Sequence, residues 1–374
     1  MDRRAGQPRC SLPSVPKRVI GETVSRPVLI TPDLVEFGSR LTVELEEEYR
    51  RVLLPYGFTD HAGELAAGRL VRSRLAAVAA GEISERLIRR CVALELLHTS
   101  TLIHDDILDK GTVRRGVPTL WKSVGIEQAL LIGNIVSARA LAIVQADCAE
   151  LASTFLQTFH RVNVAQLREL RQRGTIKDRA THEAINIGKT SAMLELGLVV
   201  GCMSSPLWPV DLTHLRNAIR EFGVGFQFSD DVEDIQAWRG ESEKERSKKA
   251  DCDIELGNYT LPVTLLVESA TTDHRPGDPL TVQTLQAWGQ DDWEPSLKTT
   301  LRIASEHLQR TEWHLNQELG SNGGAELSHR LAIWIRGMIE SWQRKGLDTM
   351  LNDLPQQAAM NPSALTMVGP SDAR

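Results

Sequence analysis

Apolar residues recur every three or four positions along most of this chain, the spacing that gathers side chains on one face of an α-helix. Leu212, Leu215, Ile219, Phe222 and Phe226 form one such stripe, and Leu94, Leu97 and Thr101 belong to another. Runs of this kind predict helices over 33–54, 84–109, 126–146, 151–172, 182–203 and 212–238. Strand-like alternation is scarce, and no Gly-rich turn follows a strand. The pattern predicts an all-α protein. Two stretches interrupt it: the charged segment 239–258 and the polar segment 271–295, which contains Pro276 and Pro279. Both read as loops within a domain, because helical periodicity resumes on either side. Residues 1–30, with Pro8, Pro13, Pro16 and Pro27, and residues 355–374 read as flexible tails, leaving 31–354 as one domain.

Both stripes run into acid. The first continues to Asp230 and Asp234, the second to Asp105 and Asp109, and each end is a D-D-x-x-D motif: Asp105, Asp106 and Asp109, then Asp230, Asp231 and Asp234. Carboxylates one turn apart on an inward face repel each other and lose hydration, at a cost of several kcal/mol per buried ion. A cation relieves both. Oxygen donors without a His or Cys cluster select a hard ion such as Mg²⁺. One acidic triple reads equally well as a solvated helix end; two, both on core stripes, point to metal. Arg114 and Arg115, Lys189 beside Thr190, and Lys248 are each unremarkable as surface groups. Together with the carboxylates they make the usual equipment for holding a diphosphate.

Composition narrows this little. The chain has 374 residues, a formal net charge of −6 and 41% hydrophobic content, which fits a large soluble protein and argues against bulk nucleic-acid binding. Cys10, Cys91, Cys148, Cys202 and Cys252 are scattered, and are expected to be free thiols in a reducing, cytoplasmic setting. No transmembrane span is expected: the most apolar run, 129–146, carries Asn134, Ser137 and Arg139. Gly197 and Gly201 suggest close helix packing. Trp288, Trp293, Trp313, Trp334 and Trp342 read as packing residues, and His160, His182 and His214 lack partners at ligand spacing.

The stretch from Glu95 to Asp109, followed by Arg114-Arg-Gly-Val-Pro-Thr119, resembles the trans-isoprenyl diphosphate synthases, or polyprenyl synthetases. So do Gly225-Phe-Gln-Phe-Ser-Asp-Asp-Val-Glu-Asp234 and Gly257-Asn-Tyr-Thr-Leu-Pro262, and the resemblance runs from about Gly68 to Pro262. It implies a single large helical bundle of the isoprenoid synthase type around a central cavity, usually homodimeric. It implies that the acidic motifs hold three Mg²⁺ ions on an allylic diphosphate. Asp105 and Asp109 would lead in the first motif with Asp106 assisting; Asp230 would lead in the second, supported by Asp231 and Asp234. Arg114, Lys189 and Lys248 would grip that diphosphate, Thr190 and Gln227 would lie beside the reacting carbon, and Arg69, Arg72, His98 and Arg115 would hold isopentenyl diphosphate. The reaction so implied is condensation to an all-trans polyprenyl diphosphate.

The chain departs from the family pattern at four places. Leu70 replaces a basic residue and Ser73 a proline in the Gly68–Ser73 stretch, Asn258 replaces a lysine, and Asn134 an aspartate. These leave the metal motifs whole and bear on the second substrate. A terpene cyclase or atypical coupling enzyme on the same scaffold, and a non-catalytic partner subunit, are the alternatives; both acidic motifs and the paired arginines argue for the condensing enzyme. Thr101 lies about 6 Å below Asp105 along a helix and Leu97 about 12 Å. Ser100 and Thr101 are small where a bulky aromatic, by the resemblance, would stop growth near about fifteen carbons. With Leu97 as a deeper floor, the product is expected to be geranylgeranyl diphosphate or longer.

Overall fold

The computed structural model describes residues 33–240, 254, 256–269, 280–317 and 324–342. Lys248, Cys10, Cys252 and both predicted tails lie outside the described residues. Fourteen α-helices are seen among them. The amino-terminal half contains α1 (Leu34–Leu53), α2 (Ala62–Ala66), α3 (Val71–Ala80), α4 (Glu85–Leu108), α5 (Leu120–Val124), α6 (Ile126–Asp147) and α7 (Ala149–Arg171). Then follow α8 (Arg179–Asn186), α9 (Ala192–Cys202), α10 (Thr213–Arg239), α11 (Leu261–Ser269), α12 (Val282–Ala287), α13 (Gln290–Leu315) and α14 (Gly324–Trp342). The described strands are Val113–Arg114 and Val117–Pro118, an antiparallel pair directly after α4.

Caps account for the predicted starts at 33 and 84. Asp33 accepts hydrogen bonds from the amides of Val35 and Glu36, and Ser84 accepts one from Leu87, so each satisfies donors that the first helical turn leaves open. Asp178 does the same for α8 through Thr181.

One predicted helix is two. The 182–203 run begins earlier, at Arg179, and is interrupted by a π-helical turn, Ile187–Ser191. The turn is packed backbone-close on both sides: a Cβ on Gly188 would lie 2.5 Å from that of Ala165, and one on Gly223 would lie 2.4 Å from Ser191 Oγ. It carries Lys189 and Thr190. The 271–295 stretch also differs from its expected loop character, since α12 and the start of α13 fall inside it, with Pro295 within α13. Trp293 and Leu297, both fully buried, anchor that turn, and their burial outweighs the proline's missing hydrogen bond.

The main core joins α1, α3, α4, α6, α7, α9, α10 and α14, with Leu94, Leu97, Leu215 and Ile219 fully buried. Gly197 and Gly201 let α9 press on α3: a Cβ there would meet the carbonyl oxygens of Arg72 at 2.7 Å and Ala76 at 2.2 Å. Of the tryptophans, Trp293 is fully buried, Trp334 lies tilted against Phe222 with ring centroids 6.2 Å apart, and Trp313 is 43% exposed with its ring edge-on to His314. Helix α6 is long and apolar enough to cross a membrane by length and composition alone, and its Ala129, Ile132, Val136 and Ala140 are buried in the core. His307 ties α13 to α10 and α8, with Nδ1 2.7 Å from Glu221 and Nε2 3.4 Å from Glu183. Burial works against its charged form, but those carboxylates raise its pKa above the ordinary value.

Candidate active site

Two cavities meet where the carboxyl-terminal half of α4 faces α10 and the π turn. The first, about 240 Å³, is lined from α4 by Thr101, Asp105 and Asp109, from the π turn by Lys189 and Thr190, and from α10 by Gln227 and Asp231. The second, about 300 Å³, is lined by Arg69, Arg72, His98 and Arg115, and by the apolar Leu70, Phe222, Phe226 and Met338. Arg72, His98 and Thr190 line both.

The paired arginines diverge. Chain reversal after α4 puts Lys110 at φ 49° and Arg115 at φ 55°, left-handed conformations that cost a non-glycine residue roughly 1–2 kcal/mol. Arg114 turns back onto Asp106 with a bidentate grip, Nε to Oδ2 at 2.8 Å and Nη2 to Oδ1 at 2.7 Å. Burial opposes its charge, but the Asp106 hydrogen bonds and the fields of Asp106, Asp105 and Asp109 raise its pKa. Arg115 instead turns to the second cavity, its guanidinium against Gly68. Arg114, expected to face the diphosphate, thus sits on a carboxylate of the first motif.

Every carboxylate of that motif meets a cation. Asp109 pairs with Arg173, which also donates to the Leu108 carbonyl at 3.1 Å. Asp105 lies 3.7 Å from Lys189 Nζ, which is 2.5 Å from Glu169. In the second motif the residue that faces the cavity is Asp231, 7% exposed, while Asp230 and Asp234 are half-buried and do not line it. The apolar stripe carried both Asp230 and Asp234 inward, and the resemblance gave Asp230 the lead. The cavity face is the Gln227–Asp231 pair. Thr190 Oγ1 donates to Gln227 Oε1 at 2.9 Å, and Gln227 Nε2 donates to Asp231 at 3.1 Å. A carboxylate only accepts, so this chain fixes the amide's orientation.

Among the described residues no three acidic, His or Cys side chains stand close enough to hold an ion. The donor chemistry nevertheless fits a hard cation: Asp105, Asp109 and Asp231 face one cavity with oxygen ligands only.

In the second cavity, Arg72 Nη1 lies 2.9 Å from His98 Nε2. Arginine can only donate, so His98 accepts there and carries its proton on Nδ1. Glu95, 7% exposed, accepts from Ser73 Oγ at 2.6 Å and from the Ser73 amide at 3.3 Å. Burial pushes its pKa up, and the Ser73 bonds oppose that. A proline at 73 could make neither bond. Thr101 lines the first cavity, whereas Ser100 and Leu97 are fully buried and line neither; Ser100 donates to the Leu97 carbonyl at 2.7 Å. Sequence reasoning missed Glu169, Arg173 and Lys177. Gln166, Glu169 and Arg173 recur at three and four along α7 and its end, a polar interruption of a buried face that could have signalled two of them.

The model of the polyprenyl synthetase family matches residues 61–280, and the chain belongs to that family. The chain is 28% identical over 201 residues to a geranylgeranyl diphosphate synthase of Sulfolobus acidocaldarius, covering 51% of this chain and 59% of that protein. It is 31% identical over 224 residues to a chloroplastic geranylgeranyl pyrophosphate synthase of Capsicum annuum, covering 55% and 59%. The chain thus spans less than two thirds of these relatives' length. Among solved structures, a heptaprenyl diphosphate synthase from Staphylococcus aureus superposes with a TM-score of 0.64 at 19% identity, covering 82% of this chain and 98% of that one. A geranylgeranyl pyrophosphate synthase from Lactobacillus brevis does so with 0.64 at 19%, covering 79% and 96%. The fold is theirs.

Proposed function

We propose that this chain is a trans-prenyltransferase, condensing an allylic diphosphate with isopentenyl diphosphate to an all-trans polyprenyl diphosphate of geranylgeranyl length or longer. The observation that carries this is the pair of adjoining cavities, one acidic with Lys189, the other with Arg69, Arg72 and Arg115, sharing Thr190 between them. Asp105, Asp109 and Asp231 would hold Mg²⁺, which when bound screens the charge of the departing diphosphate. Lys189, poised between Asp105 and Glu169, adds a cation to the same end. Arg114 and Arg173 hold Asp106 and Asp109 in place. At the junction, the Thr190 and Gln227 oxygens stabilise the allylic cation without capturing it. Phe222 and Phe226 keep water from it. Isopentenyl diphosphate binds through Arg69, Arg72, Arg115 and His98, and its double bond attacks the cation. The departing diphosphate then takes the proton, so no side-chain base is needed.

Homodimer formation belongs to the same proposal. Ile126, Leu130 and Leu131 on α6 with Leu156, Val164 and Leu167 on α7 are exposed apolar residues on neighbouring helices, a surface that a second copy would cover. Cytoplasmic residence is in keeping with Cys91 and Cys202, which are free and buried. Incubation with Mg²⁺, isopentenyl diphosphate and allylic primers of several lengths tests the activity. Extended prenyl chains are expected; hydrocarbon or alcohol from primer alone, or inertness, would refute it.

A further inference from the structure

We infer that Lys177 is a further diphosphate contact of the first cavity, supplying from the loop between α7 and α8 a positive charge that the Asn258 turn lacks. The inference rests on the reading of that cavity as a diphosphate site. Lys177 is 5% exposed and lines the cavity together with Asn258, Tyr259, Thr260 and Lys189. From that wall, beside Lys189, its ammonium is placed to donate to an oxyanion that enters the cavity.

The loop is built to hold it there. At one end Arg173 pairs with Asp109 and donates to the Leu108 carbonyl. Next, the Gly174 amide donates to the Gly257 carbonyl at 2.8 Å. Both glycines have left-handed φ, 76° and 73°, and a Cβ on Gly257 would lie 2.8 Å from Gly174 N, so the two backbones touch. At the other end Thr264 Oγ1 donates to the Lys177 carbonyl at 3.1 Å. The loop is therefore fastened both to the first acidic motif and to the turn that carries Asn258.

His182, also on the cavity wall, does not compete as a cation. Its Nε2 is 2.9 Å from Thr264 Oγ1, whose own proton goes to Lys177, so His182 is the donor there. Burial first, and then the charge of Lys177, push its pKa down to about 3.

The test uses the full chain with Mg²⁺ and inorganic diphosphate, measured by calorimetry, alongside KM values for primer and isopentenyl diphosphate. Lys177→Gln should weaken diphosphate about tenfold or more, as loss of one charge-assisted bond does. The primer KM should rise in step, while the isopentenyl diphosphate KM and the melting temperature hold. Adding Asn258→Lys to Lys177→Gln should restore diphosphate binding by returning the charge to the same wall. Lys177→Gln that binds diphosphate like the wild type overturns the inference. So does a loss accompanied by a lower melting temperature and not restored by Asn258→Lys, which is the signature of a structural role. A wild-type chain that binds no diphosphate overturns the underlying reading of the cavity instead.

Discussion

Ser73→Ala isolates one hydrogen bond that this chain has in place of a proline. The Ser73 hydroxyl donates to the buried Glu95 carboxylate at 2.6 Å, with the Ser73 amide at 3.3 Å as the weaker second donor. A hydrogen bond to a charged group contributes roughly 1.5–3 kcal/mol, and the adjoining cavity can admit water to the vacated oxygen, so about 1.5 kcal/mol is the expected loss. For a domain of this size that lowers the melting temperature by about 2 °C. The pH dependence identifies the cause. Burial raises the Glu95 pKa in the folded state above the ordinary carboxyl value, and losing the hydroxyl raises it further. A carboxyl whose folded pKa is raised favours the folded state less as pH climbs past its unfolded value. The deficit of Ser73→Ala should therefore grow as Glu95 ionises in the folded protein and shrink toward pH 4, where it is protonated in both proteins. Thermal unfolding followed by circular dichroism at pH 4 and pH 7.5 measures it. An equal deficit at both pH values would refute the reasoning and assign the loss to packing.

Asp105→Ala and Asp231→Ala should each abolish prenyl-chain extension with an unchanged circular dichroism spectrum; near-normal turnover in either removes that carboxylate from the proposed ion site. Gly201→Ala forces a Cβ to 2.2 Å from the Ala76 carbonyl oxygen and should cost about 1–3 kcal/mol, read as a fall in melting temperature. An unchanged melting temperature would mean that α3 and α9 are not clamped there. Thr101→Phe should shorten the main product by about one isoprene unit, because its ring fills about one helical turn of the first cavity. Ser100→Phe, at a fully buried position off the cavity, should destabilise the fold. Chromatography of dephosphorylated products and melting curves separate the pair, and a Thr101→Phe enzyme with the wild-type product defeats the argument.

Local pattern was enough wherever the cause was local. The 84–109 helix could be read because Ser84 caps it and its apolar face repeats for six turns, and the aspartates at its end follow from the same periodicity. The Gly197 and Gly201 contact was legible because small residues one turn apart have one common use in a packed bundle. What the pattern could not give was which of two neighbouring aspartates faces the cavity. Adjacent residues stand about 100° apart around a helix, so that choice depends on which elements pack beside α10. Nor could it see the π turn, which arises from α7 and α10 pressing on Gly188 and Ser191. The departures from the family pattern are the sharpest case. In the sequence, Ser73 is a missing proline; in the fold it is the donor that answers Glu95, a residue on another helix. Asn258 is a missing lysine, yet Lys177 lines the same wall from a loop joined to its turn through Gly174 and Gly257. A substitution at a binding site thus has to be weighed against what the fold brings beside it, and partners that far apart along the chain leave no periodicity to read.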